Sequence, residues 1–96
     1  MSDAEISMKQ SSLAAGTSQP VHIRVPASSR TRKVRYRVTD QGGKEVQSQE
    51  FDLPSDVNEI AWFVEAPPKV EGGKLNMHLT VDDEPKAHAT IDIESA

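Results

Sequence analysis

The sequence predicts an all-β fold, an antiparallel β-sandwich of about six to seven strands. Three observations carry that expectation. Apolar and polar residues alternate in run after run, and a period of two puts successive strand side chains on opposite faces. Each run is apolar on one row only, as strands are when their sheet has one dry face and one wet face. Clusters of glycine, proline and aspartate separate the runs at short spacing, which is the punctuation of a sandwich or barrel.

The segment before residue 20 admits two readings. "SDAE" matches a capping box and would start a helix ending near Gly16. Ile6 and Met8 alternate, however, and Ser and Thr are frequent. These features favour a first edge strand near Ile6–Lys9, with "SSLAAGTSQP" as a connector. The chain is therefore read as one domain, with an N-terminal segment over 1–19 carrying that strand and the sandwich over 20–96.

The later runs are more regular. "VHIRV" puts Val21, Ile23 and Val25 on one row, and "VRYRV" does the same with Val34, Tyr36 and Val38. "EIAWFVE" aligns Ile60, Trp62 and Val64, and "LNMHLTV" aligns Leu75, Met77, Leu79 and Val81. "AHATIDI" completes the set with Ala87, Ala89, Ile91 and Ile93. Phe51 and Leu53 form a less regular run, and Val46 falls on the opposite parity, which predicts a bulge or break near Gln47–Glu50. "DQGGKE" and "DDEP" read as hairpin turns, and the two prolines of "APPKVEGGK" cannot feed a ladder.

The 96 residues leave room for a single core. With no cysteine there is no disulfide, no thiolate zinc site and no cysteine nucleophile. No apolar run approaches the ~20 residues of a membrane span. The N-terminus lacks the basic and apolar regions of a signal peptide. If Met1 is the natural start, synthesis is cytoplasmic, with a virion as one destination. An excised domain would instead be extracellular.

Few residues suggest chemistry. His78 and His88 fall on the polar rows of the last two strands, and pairing of Val81 near Ala87 would set them on a diagonal ~7–8 Å apart. Asp82 or Asp92 is the candidate added carboxylate, and two histidines without a dense third ligand make only a weak site, so solvated strand faces are the expectation. The acids at 82–84 lack the spacing of a calcium loop. No nucleophile elbow, P-loop, dinucleotide glycine motif or His-Glu-x-x-His is present. The expectation is a non-enzymatic chain with no catalytic residue, metal or cofactor.

Charge is distributed unevenly. Residues 30–37 hold five basic side chains, Arg30, Arg32, Lys33, Arg35 and Arg37, in a chain of net charge −4. Residues 1–37 carry seven basic and two acidic groups, and residues 38–96 carry four basic and thirteen acidic. Basic rows facing acidic rows on neighbouring strands, including Glu45, Glu50 or Glu65, use that split internally. Arg30 and Arg32 are placed in the connector before the strand. A net-negative domain with only four aromatics is a poor nucleic-acid binder. Phe63 stands apart, because with Ala61 it lies on the wrong parity for the core row. It is either an interface anchor or covered by Ile6, Met8 or Leu13 of the N-terminal segment.

Three stretches resemble the immunoglobulin-like (fibronectin-III-like) domains of bacterial surface proteins and phage structural proteins. They are "LAAGTSQPVHIRVPA", "VRYRVTDQGGKEV" and "GKLNMHLTVDDEPKAHATIDI". In such domains an edge strand leads through a Gly-Thr connector into a second strand, a tyrosine-bearing middle strand turns at Asp-x-Gly-Gly-Lys, and a terminal hairpin closes the fold. The resemblance spans residues 6–93. It implies a structural protein engaged in protein–protein interaction or self-assembly, such as a capsid or tail decoration component. The alternatives are an immunoglobulin-like domain excised from a surface or secreted protein, and a small nucleic-acid or regulatory binder using the basic run. The candidate partner-binding residues are Phe63, Ala61, Arg30, Arg32, Lys33, Arg35 and Arg37.

Overall fold

The structure, a computed structural model, describes residues 4–94, and these form eight strands in two sheets. In chain order they are β1 (Glu5–Met8), β2 (Ser12–Ala14), β3 (Ser18–Arg24), β4 (Arg32–Asp40), β5 (Glu45–Leu53), β6 (Glu59–Glu65), β7 (Lys74–Val81) and β8 (Glu84–Glu94). One sheet has the order β1-β3-β6 and the other the order β2-β8-β7-β4-β5. Every pairing is antiparallel except β2 with β8, which is parallel.

The first strand forms close to where alternation placed it, but the expected connector is partly strand. Pairing of β1 with β3 ends at Met8 opposite Val21, and the next position across is Pro20, which has no N–H to give. The chain then crosses to the other sheet, where Ser12, Leu13 and Ala14 pair with Asp92, Ile93 and Glu94. Burial of Leu13 accompanies the switch. The amide of buried Gln19 donates to the Gln10 carbonyl at 3.3 Å, which holds the crossing in place. This added strand is why the count exceeds six to seven.

The inner rows of both sheets meet as predicted. Ile23 and Val64 of the small sheet face Val34, Tyr36, Val38, Leu75, Met77, Leu79 and Ile91 of the large one, all essentially without solvent contact. Burying such side chains contributes ~1.5–3 kcal/mol each and is the main force holding the sheets together. The Tyr36 hydroxyl has no hydrogen-bond partner among the described residues, and burial pushes its pKa up.

Two irregularities set the register. Val38 faces Gln47 and Thr39 faces Glu45, so Val46 is the bulged residue, one position before the stretch where a break was expected. Leu79 faces Ala87 whereas Thr80 faces Pro85, which makes Lys86 the extra residue of β8. The hairpin closes with Asp82 and Asp83 both at positive φ, 50° and 69°, the two-residue turn matched to strand twist. Val81 therefore pairs with Glu84 and not near Ala87. Gly72 also has positive φ, and a Cβ there would collide with the Gln41 side chain.

Candidate functional site

The basic run is almost wholly engaged within the fold. Arg32 opens β4 and does not lie in a connector, and it is 4% exposed. Its guanidinium donates to the carbonyls of Pro26, Pro54 (3.1 Å) and Val57 (2.7 Å). These carbonyls belong to two separate crossings between the sheets, β3 to β4 and β5 to β6. The planar five-donor fork of arginine suits such a clasp, and the burial removes Arg32 from any binding surface.

The other four basic residues face acids. Arg30 meets Asp82 at 3.0 Å, and the second Asp82 oxygen accepts the Lys33 backbone N–H at 3.0 Å. Lys33 stands opposite Asp52 in the ladder. Arg35 donates through two nitrogens to one Glu50 oxygen, at 2.7 and 3.1 Å. That hydrogen bond and its charge hold the Glu50 carboxyl below its ordinary pKa and raise that of Arg35. Arg37 reaches Glu45 at 3.2 Å. The expectation of basic rows against Glu45 and Glu50 is met. Glu65 instead lies on the small sheet, opposite Ser18.

The outer face of the small sheet differs in character. Phe63 is 40% exposed there, in a row with Glu59, Ala61 and Glu65. Pro20 stands directly opposite Phe63, and His22 opposite Ala61. Ile6 and Met8 pack toward the core and Leu13 is buried, so none of the three covers the Phe63 ring. The ring is nevertheless held, stacked on Trp62 at 5.2 Å and 27°, while Trp62 meets Phe51 edge-on at 5.0 Å. Beside it a shallow depression of about 310 Å³ is lined by Ser7, Met8, Lys9, Pro20, Val21, His22 and Ala61. Knob and hollow thus sit side by side, with ion-paired Arg24 and Glu59 at the margin.

One residue outside the expected set shapes this face. The side-chain amide of Gln47 on β5 donates to the Phe63 carbonyl and accepts from the Glu65 N–H, both at 3.0 Å. It imitates the peptide group of a neighbouring strand on the edge of β6, which belongs to the opposite sheet. Edge strands left bare recruit other chains, and this clamp covers part of one. The displaced parity around Val46 was the only sequence signal near it.

The histidines are placed differently from the diagonal arrangement. The bulge in β8 sets His78 directly opposite His88, with ring centres 5.1 Å apart. Thr39 Oγ1 lies 3.1 Å from His78 Nε2. Burial, then the charges of His88 and Arg37, lower the His78 pKa. Among the described residues no three His, Cys, Asp or Glu side chains cluster together. No helix there is long and apolar enough to cross a membrane. No protein-family model matches the chain, and no curated protein matches it either.

Proposed function

We propose that this chain is a non-enzymatic structural or binding module that attaches to a larger protein assembly through the outer face of β1-β3-β6. The observation that carries the proposal is Phe63, a large aromatic held in place on Trp62 yet open to solvent. Pro20 and Ala61 widen the apolar centre, and Arg24, Glu59 and Glu65 supply a polar rim. Aromatic anchors ringed by polar groups are where binding energy concentrates.

The immunoglobulin-like reading of the sandwich draws support from strand order. The sequence β8-β7-β4-β5 corresponds to G-F-C-C′ of that architecture, and the β3–β6 pair corresponds to B–E. Together with the resemblance to phage structural proteins, it favours a decoration component of a capsid or tail. β3 and β6 are seven residues long and β1 four, so at ~4.8 Å spacing they present roughly 300 Å², well under the ~800 Å² per partner of a stable isolated interface. A face this small holds weakly alone, and firm attachment to a repeating lattice would need copies linked to one another there.

The test is capture of the assembly from the native source, followed by hydrogen exchange on the bound chain. Protection is expected at β6 (Glu59–Glu65), β1 (Glu5–Met8) and β3 (Ser18–Arg24). Protection confined to β4 and β5 would reject this face.

A further inference from the structure

The paired histidines lie on the large sheet, away from the face described above, and their geometry supports an argument of its own. A metal–nitrogen bond of ~2.1 Å places an imidazole ring centre roughly 3.2 Å from the ion. Two rings bound at ~90–110° then have centres roughly 4.5–5.3 Å apart. The His78 and His88 ring centres are 5.1 Å apart with a 34° tilt. They come from directly opposed positions of adjacent strands, so neither strand needs to move. A pair set on the diagonal would not give this separation, and the register that does give it follows from the bulge at Lys86.

The surroundings supply a second observation. Thr39 Oγ1, on a buried residue, sits 3.1 Å from His78 Nε2. Metal-binding histidines commonly use one ring nitrogen for an orienting hydrogen bond and the other for the ion. Here Thr39 would orient the His78 ring through Nε2 and leave Nδ1 for coordination. The one cation opposite His78 in the ladder is Arg37, whose Nε is engaged by Glu45 at 3.2 Å. Lys86 on β8 is likewise paired, with Glu84 at 3.2 Å. Asn76, Thr80 and Thr90 on the same face are uncharged.

We propose that His78 and His88 form a two-histidine site for a divalent transition-metal ion, copper(II) before nickel(II) or zinc(II), with the remaining coordination positions open. The order follows from donor chemistry. Two imidazoles with water suit the tetragonal preference of copper and nickel, and affinity for nitrogen donors peaks at copper. Zinc favours four protein ligands, and calcium and magnesium require oxygen.

Titrating the full chain with copper(II) chloride by calorimetry, with electron paramagnetic resonance on the complex, tests the site. The expected result is one ion per chain and hyperfine structure from two equatorial nitrogens. His88→Ala and His78→Asn should each weaken binding by roughly tenfold or more, while His22→Ala should leave it unchanged. His88 is exposed, so His88→Ala keeps the fold, and circular dichroism checks that directly. Absence of binding, or affinity unaffected by His88→Ala, would overturn the proposal.

Discussion

The two outer faces of this sandwich are built from the same kinds of strand and solve the problem of facing water differently. On the large sheet, Arg35 and Arg37 lie against Glu50 and Glu45, so that face satisfies its charges internally. On the small sheet, Phe63, Pro20 and Ala61 expose apolar surface beside a hollow. The conspicuous feature of the sequence, five basic residues in eight, therefore marks the face with the least left to offer a partner. The less conspicuous one, an aromatic on the wrong parity, marks the face that leaves a large apolar side chain open to solvent. Net charge within a run says little until the opposing strand is known.

That contrast can be broken or sharpened, and the largest effect should come from inside the basic run itself. Arg32→Ala leaves three carbonyls at the sheet crossings without their donor and should cost about 3 kcal/mol or more in urea denaturation. Arg35→Ala, three residues along, should cost far less than Arg32→Ala, because exposed pairs contribute little. Equal losses would show that Arg32 is not the clasp described. Gln47→Ala comes next. It should cost about 1 kcal/mol and leave the β6 edge bare, so sedimentation velocity should show concentration-dependent self-association. A strictly monomeric variant would mean that the edge is guarded by something else.

The smallest effect concerns acid. Glu50 keeps its charge to lower pH when folded than when unfolded, so the unfolded state takes up the proton first. The stability contributed by its pair with Arg35 is present above the ordinary carboxylate pKa and is lost as pH falls through the lowered one. Glu50→Gln should shallow the acid limb of the stability curve slightly. An unchanged limb would show that this face does not depend on the pair.

Much of this arrangement was legible in the sequence because a half-buried strand reports its own faces. Parity alone assigned Tyr36 and Met77 to the core and Phe63 to the outside. What was not legible depends on partners distant along the chain. Three residues, Ser12–Ala14, are too few to show a period, and their partner is the last strand. Arg32 looks like its solvated neighbours until the Pro26, Pro54 and Val57 carbonyls converge on it. The opposition of His78 and His88 turns on one extra residue in β8, because a single-residue slip resets every partner beyond it. The glutamine clamp on β6 is invisible locally, since it joins edges of different sheets.

The most direct test of the account compares binding to the captured assembly by three proteins: the wild type, Phe63→Ser, and the double variant Arg35→Glu with Arg37→Glu. Phe63→Ser should fold with stability within ~1 kcal/mol of wild type, since it loses one exposed aromatic contact. The prediction is that Phe63→Ser no longer binds while the double variant binds like wild type. Retained binding by Phe63→Ser, with loss in the double variant, would contradict the account and return function to the basic strand.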